Sequence, residues 1–257
     1  MQIRVEGSNV AVSFPEKSRK SHLKKSSGRM DNDKFIFNLH YEINGEHKSM
    51  TLELYLIRHA ETEANCSFRD KIMGRSNWVK LTLNGIAQSE ALGERLRAEK
   101  VAFTAFYSSP AIRTQQTARY SLSGGLYVPV QLEPALLELS QGDWEGKDRN
   151  EIYNRPDVRE GLDKDGWNHI PGDVIKGESQ AMVAQRMANW TEDMVRKHEE
   201  GRIMAFTHGL AIKSLLTLLF DGDKRTSYKT SIDNTSITII NYENGAYSCV
   251  KKNDTAH

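Results

Sequence analysis

Residues 52–59, Leu52-Glu53-Leu54-Tyr55-Leu56-Ile57-Arg58-His59, decide the fold. Leu54 to Ile57 is a short unbroken apolar run, the pattern of a parallel strand covered on both faces. It stops on a cation and an imidazole. Working outward, Thr82 to Glu99 sets Leu83, Ile86, Ala87, Leu92 and Leu96 along a helical stripe. Ala102 to Tyr107 is a short strand, Pro110 to Tyr120 a helix opening on proline, and Tyr127 to Gln131 another short strand. Glu178 to His198 is a long helix, Arg202 to Thr207 a strand, Leu210 to Phe220 a helix and Ser236 to Tyr242 a closing strand. The Leu210–Phe220 helix is apolar nearly all round, as a core helix is. Strands alternating with helices predict an α/β fold, three-layer α/β/α with a mostly parallel central sheet.

Composition sets the bounds. A chain of 257 residues with 38% hydrophobic and 27% charged residues suits one sizeable domain, or one domain with an extension. A formal net charge of +1 calls for no nucleic-acid partner. No apolar run approaches the roughly 18 residues that span a bilayer, and the first residues lack a secretory signal pattern. Cys66 and Cys249 form neither a disulfide framework nor a metal-ligand spacing, which fits free thiols in a reducing cytoplasm.

Residues 1–49 differ from the rest. Lys17-Ser18-Arg19-Lys20-Ser21-His22-Leu23-Lys24-Lys25-Ser26-Ser27 has the composition of a solvated, partly disordered segment. Phe35 to Ile43 resembles a strand, with Asn44-Gly45 as a hairpin turn leading back toward Leu52. Met50 is the expected start of the core domain, residues 50–250, with residues 1–49 as an extension.

In open α/β sheets the site lies at the carboxyl ends of the strands, and that is where the reactive residues fall. Arg58 and His59 follow the first core strand, Ser108 and Ser109 the second, and Thr207 and His208 a third; Arg113 lies one turn into a helix, and Glu138 follows the strand near Gln131. Alone, each has an ordinary structural explanation. Together, guanidinium groups and imidazoles at one edge form a cationic pocket suited to a phosphate dianion, with helix N-termini adding N–H donors. No oxygen-rich cluster for magnesium is evident, so these cations would neutralise the charge that a metal handles elsewhere.

At this point the sequence resembles the histidine phosphatase superfamily, which includes the phosphoglycerate mutase-like enzymes. The resemblance is carried by Leu56-Ile57-Arg58-His59-Ala60-Glu61-Thr62-Glu63-Ala64-Asn65, Gly74-Arg75, Leu81-Thr82 with Asn84-Gly85-Ile86-Ala87-Gln88, and Tyr107-Ser108-Ser109-Pro110-Ala111-Ile112-Arg113-Thr114-Gln115-Gln116-Thr117-Ala118. Leu137-Glu138, Gly142-Asp143-Trp144-Glu145-Gly146, Gly177-Glu178-Ser179, Thr207-His208-Gly209 and Asn234-Thr235-Ser236-Ile237 continue it in order, across about residues 50–245.

The resemblance implies a phosphoglycerate mutase-like fold and these roles. His59 attacks phosphorus and becomes a phosphohistidine. Arg58, Arg113 and His208 hold the phosphoryl oxygens, and Asn65 and Gly209 join them in the substrate-binding set. Glu138 protonates the leaving alkoxide and then deprotonates water; a partly apolar wall, with Trp144 in it, would keep some of it protonated. His59 must be neutral, with its other nitrogen hydrogen-bonded to fix the tautomer. Ala60 stands where the family more often has glycine, so an ordinary backbone conformation is expected there. Glu61, Asp143 and Glu145 compete as carboxylates: Glu61 suits a structural contact, and Glu145 is the reserve acid.

The function that follows is a metal-independent phosphomonoester hydrolase on a small phosphorylated metabolite, needing no cofactor. Relatives that are mutases carry a long insertion after the proton donor, whereas Lys147 to Lys176 is short here, although its helix-prone section would suit a lid. A phosphoglycerate mutase-type phosphotransferase is the alternative, and an inactive phosphate-binding module a further one. Arg69, Lys71 and Arg75 either read a second acid group or form a solvated loop. Homodimers are frequent among relatives, so a homodimer is possible here.

Overall fold

The computed structural model describes residues 51–123 and 128–257 and, ahead of them, the strand segments 2–6, 9–13, 30–31 and 34–35. In that N-terminal part β1 (Gln2–Glu6) pairs antiparallel with β2 (Asn9–Ser13), and β3 (Met30–Asp31) with β4 (Lys34–Phe35). The expected basic run and, beyond Phe35, the expected strand and Asn44-Gly45 turn lie outside the described residues.

The core is a six-stranded sheet in the order β10 (Ala246–Asp254), β9 (Ile237–Glu243), β5 (Thr51–Arg58), β8 (Gly201–Thr207), β6 (Ala105–Ser108), β7 (Val130–Leu132). Strands β5 (Thr51–Arg58), β8 (Gly201–Thr207), β6 (Ala105–Ser108) and β7 (Val130–Leu132) run parallel. The period-two alternation of β5 builds the layers, because successive side chains leave opposite faces of the sheet. Leu52, Leu54 and Leu56 enter one core with Val183, Met187, Ile212 and Leu215. Those residues belong to α6 (Gln180–Lys197) and α7 (Gly209–Leu219). Tyr55 and Ile57 enter the other core with Leu92, Leu96 and Ala118, from α2 (Leu83–Ala98) and α3 (Ile112–Leu122). The result is the expected three-layer α/β/α architecture.

Some boundaries move, each for a local reason. Pro110 lies ahead of α3, whose N-cap is Ala111. The strand expected at Tyr127–Gln131 is Val130–Leu132. The closing strand β9 (Ile237–Glu243) is antiparallel to β5 and leads into an edge strand, β10 (Ala246–Asp254), that no apolar run signalled. Its signal is the turn: Asn244 and Gly245 take φ of 50° and 88°, the left-handed pair that an Asn-Gly hairpin favours. A short helix α1 (Glu63–Cys66) follows His59, and α4 (Arg149–Tyr153) and α5 (Pro156–Asp165) form the helix-prone section. There Trp144, Ile72, Ile152 and Val158 make a small separate core.

Candidate active site

The register of the sheet brings the strand ends together. Arg58 pairs with Thr207 across β5 and β8, and Ser108 with Phe206 across β6 and β8. His59 is buried, and its main chain is held on both sides: its N–H donates to the Thr207 carbonyl at 3.0 Å, and its carbonyl accepts from Asn234 Nδ2 at 2.8 Å.

The ring chemistry of His59 follows from one contact. Nδ1 lies 2.8 Å from the Ala60 carbonyl. A carbonyl only accepts, so Nδ1 carries the proton and Nε2 keeps its lone pair. Burial, followed by the charges of Arg113 and Arg58, pushes the His59 pKa well below its ordinary value. Neutral imidazole with a free Nε2 is a nucleophile. Ala60 fits here because its N–H donates to Thr117 Oγ1 at 3.0 Å and it lies outside the positive-φ residues of the described chain.

Arg58 donates Nη1 to the Ile232 carbonyl at 2.7 Å, while its Nε is buried without a partner. An unpaired buried guanidinium donor is costly and calls for an anion. Gly209 leaves the room, since a Cβ there would come within 3.3 Å of that Nε. Arg113 is fixed from several directions: Nη1 donates to the Ser76 carbonyl at 2.9 Å, both Nη atoms to the Arg75 carbonyl at 3.2 Å, and Nε to His208 Nδ1 at 3.2 Å. Burial pushes its pKa down to about 10, so it keeps its charge at neutral pH.

His208 differs from the expectation of a phosphate ligand. Its Nδ1 accepts from Arg113, so Nε2 carries the proton and donates to Ser109 Oγ at 2.8 Å. Both nitrogens are engaged by the protein, and burial, then Arg113, pushes its pKa well below normal. In this arrangement His208 orients Arg113 and packs edge-on to His59, with ring centroids 5.3 Å apart. Asn65 turns its Oδ1 inward to cap its own helix, accepting from the Thr62 N–H at 3.0 Å and Oγ1 at 2.9 Å.

The surroundings of Glu138 also differ. In place of an apolar wall, its carboxylate meets the first turn of α7, accepting from Leu210 N at 3.2 Å and Ala211 N at 3.1 Å, and from its neighbour Leu139 N at 3.0 Å. Trp144 belongs to the separate small core. The Glu138 carbonyl is clamped by Arg75 Nε at 3.3 Å and Arg186 Nη2 at 3.2 Å, and both arginines pair with Glu178. Glu145, the reserve acid, is occupied: it accepts from Arg75 N, Gln141 N and Ser76 N at 2.9, 3.0 and 3.1 Å. Glu61 binds Thr82 Oγ1 at 2.8 Å, with Gly85 packed so closely that a Cβ would sit 2.1 Å from the Glu61 carbonyl.

In the charged loop, Lys71 faces Asp148 at 3.7 Å and Arg69 binds the Asn65 carbonyl, so with Arg75 the loop is tied down locally. Lys213 was hidden in an apolar helix: half-buried, it donates to the Tyr228 carbonyl at 3.0 Å, and burial, then Arg58, lowers its pKa. Among the described residues no cluster of His, Cys, Asp or Glu would hold a metal, and no helix is long and apolar enough to cross a membrane.

This arrangement has recognisable relatives. Residues 54–255 match the family model described as histidine phosphatase superfamily (branch 1). The chain is 29% identical over 197 residues to a Proteus mirabilis protein named "probable phosphoglycerate mutase GpmB", covering 76% of this chain and 87% of that protein. It is 26% identical over 211 residues to phosphoserine phosphatase 1 of Hydrogenobacter thermophilus, covering 80% and 94%. A solved structure of phosphoserine phosphatase from Entamoeba histolytica, in complex with 3-phosphoglyceric acid, superposes with a TM-score of 0.68 at 27% identity, covering 80% of this chain and 98% of that one. The burial of His59 among the charges of Arg58 and Arg113, and the match across most of the chain, agree: this protein belongs to the histidine phosphatase superfamily.

Proposed function

We propose that the chain is a metal-independent phosphomonoester hydrolase that works through a phosphohistidine at His59 on a small phosphorylated metabolite. The observation that carries this reading is the pairing of a buried, unprotonated Nε2 on His59 with a buried Arg58 Nε that lacks a partner. One supplies the electron pair, the other a waiting donor for a phosphoryl oxygen.

The lone pair of His59 Nε2 forms the N–P bond as the P–O bond to the leaving group breaks, and protonated Glu138 gives its proton to the departing oxygen. Glu138, now a carboxylate, takes a proton from water. The water oxygen bonds to phosphorus as the N–P bond breaks, the electron pair returns to His59 Nε2, and inorganic phosphate leaves. Arg58 and Arg113 meet the charge that builds on the transferring group. Glu138 sits at the first turn of α7, and its charge acts on both Arg58 and Arg113.

A mutase shares the first half-reaction and returns the phosphoryl group to an acceptor hydroxyl instead of water. The relative named as a mutase favours that second reading, and the relatives named phosphoserine phosphatase favour the first. Hydrolysis of p-nitrophenyl phosphate in EDTA, wild type against His59→Ala, tests the proposal. Turnover that survives chelation and vanishes in the variant supports it. Turnover that persists in His59→Ala removes His59 as nucleophile. A folded wild type that is inert alone but exchanges phosphoryl groups between phosphoglycerates is a mutase, and one that only binds phosphate is a binding module.

A further inference from the structure

The segment from Ser231 to Ser236 carries no reacting group, yet the main chain of the catalytic strand end hangs on it. The Ile232 carbonyl holds Arg58 Nη1 at 2.7 Å, and Asn234 Nδ2 holds the His59 carbonyl at 2.8 Å. Thr235 N donates to the Arg58 carbonyl at 3.1 Å, and Arg58 N to the Ser236 carbonyl at 3.3 Å. In the middle stands Thr235, a β-branched residue at φ 56°, a conformation that persists only where the surroundings enforce it.

The loop is held from the far end of β10. Pairing of β10 with β9 is irregular between Lys251 and Asp254, and bulges of this kind re-aim side chains. Asn253, itself at φ 54°, turns its amide onto the loop. Its Oδ1 accepts from the Asp233 N–H at 2.6 Å and its Nδ2 donates to Asp233 Oδ2 at 2.7 Å. Ser231 Oγ occupies the other Asp233 oxygen at 2.9 Å. The strand end is anchored in turn, with Asp254 bound by Arg95 Nη2 at 2.6 Å and Lys251 at 2.8 Å, and with His257 Nε2 3.0 Å from Thr235 Oγ1.

We infer that Asn253 is a positioning residue for catalysis: its two-point clamp on Asp233 fixes the loop that aims Arg58 and His59. This rests on the reading of His59 and Arg58 as the reacting pair. The clamp acts at a distance, because Asn253 touches neither residue. Releasing it leaves the pocket formed but lets the nucleophile and its arginine drift by fractions of an ångström, which is expensive for in-line transfer.

The test compares wild type with Asn253→Ala, Asn253→Asp and the swapped pair Asn253→Asp with Asp233→Asn. The readouts are p-nitrophenyl phosphate kinetics, orthovanadate affinity by calorimetry and Tm. Asn253→Ala is expected to lower kcat about tenfold with KM changed by less than about twofold, and to weaken orthovanadate to a similar degree, with the protein still folded. Asn253→Asp sets two carboxylates against each other and is worse. The swapped pair can remake both hydrogen bonds, the backbone N–H of residue 233 donating as before and the side chain–side chain bond with donor and acceptor reversed, and should recover to within about threefold of wild type. Wild-type kcat and orthovanadate affinity in Asn253→Ala would overturn the inference. So would a swapped pair no better than Asn253→Asp, or losses that track the unfolded fraction. If the wild type fails to hydrolyse the substrate, the phosphatase reading falls, while the orthovanadate affinities still decide the clamp.

Discussion

At the end of β5, buried charges are answered by the backbone; across α4 and α5, exposed charges are answered by one another. Arg113 is 5% exposed and binds the carbonyls of Arg75 and Ser76, whereas Arg155 pairs with Asp157 and Asp173 in side chains about a third or more open to solvent. Carbonyls anchored in loops and strands cannot rotate away, so they fix a guanidinium without neutralising it. Carboxylates on flexible surface side chains do the reverse, and solvent screens what remains. The difference shows how the strand end keeps its net positive charge, while the α4–α5 segment is held by exposed ion pairs.

Substitutions can break this contrast, starting with the largest effect. His59→Ala should remove at least about a thousandfold of kcat, since no second nucleophile stands ready; single-turnover assays for a phosphorylated protein intermediate check it. Glu138→Gln should cost about a hundredfold or more on an alkyl phosphate, whose leaving oxygen needs a proton. In the burst of phosphohistidine formation, ahead of the water step that Glu138 also serves, it should cost much less on p-nitrophenyl phosphate, whose leaving group departs without a proton. Equal losses on both substrates in that burst would assign Glu138 to structure. Arg113→Lys should fail although it keeps the charge, because one ammonium cannot serve His208 and the loop carbonyls together. A fall in kcat/KM of about a hundredfold, with about 1–3 kcal/mol of stability lost, is expected from kinetics and denaturant titration. Arg155→Ala, by contrast, should leave kcat and Tm within error.

Acidity sharpens the same comparison. His59 and His208 have folded pKa values well below 6.5. Protons therefore bind the unfolded chain first as pH falls through 6.5, and stability should decline below that pH and be fully present above it. The sign for catalysis agrees: His59 stays neutral below 6.5, so the His59-dependent limb of kcat/KM should extend to more acidic pH than free histidine allows. A limb at 6.5 would contradict the burial of His59, and Tm against pH for His208→Asn should be flatter than for wild type.

Much of this was legible in the chain. Leu54 to Ile57 marked the central strand because burial on both faces leaves an unbroken apolar run, and the helices showed because one stripe of each is buried. The strand end at Arg58-His59, the partners Arg113 and His208, and Glu138 followed from where such strands stop. The edge strand β10 did not show, because solvent covers one side and its residues, such as Lys251 and Lys252, are exposed; only Asn244-Gly245 hinted at it.

By itself, then, the sequence determined the layers, a mostly parallel sheet and the residues at its strand ends, because burial imposes a periodic pattern on neighbours along the chain. Tertiary structure alone decided how those residues are used. It placed the proton of His59 on Nδ1, turned both nitrogens of His208 toward the protein and set Glu138 against the first turn of α7. It also brought Asn253 to Asp233. A hydrogen bond depends on direction and on partners far apart in the chain, and no local pattern encodes that geometry.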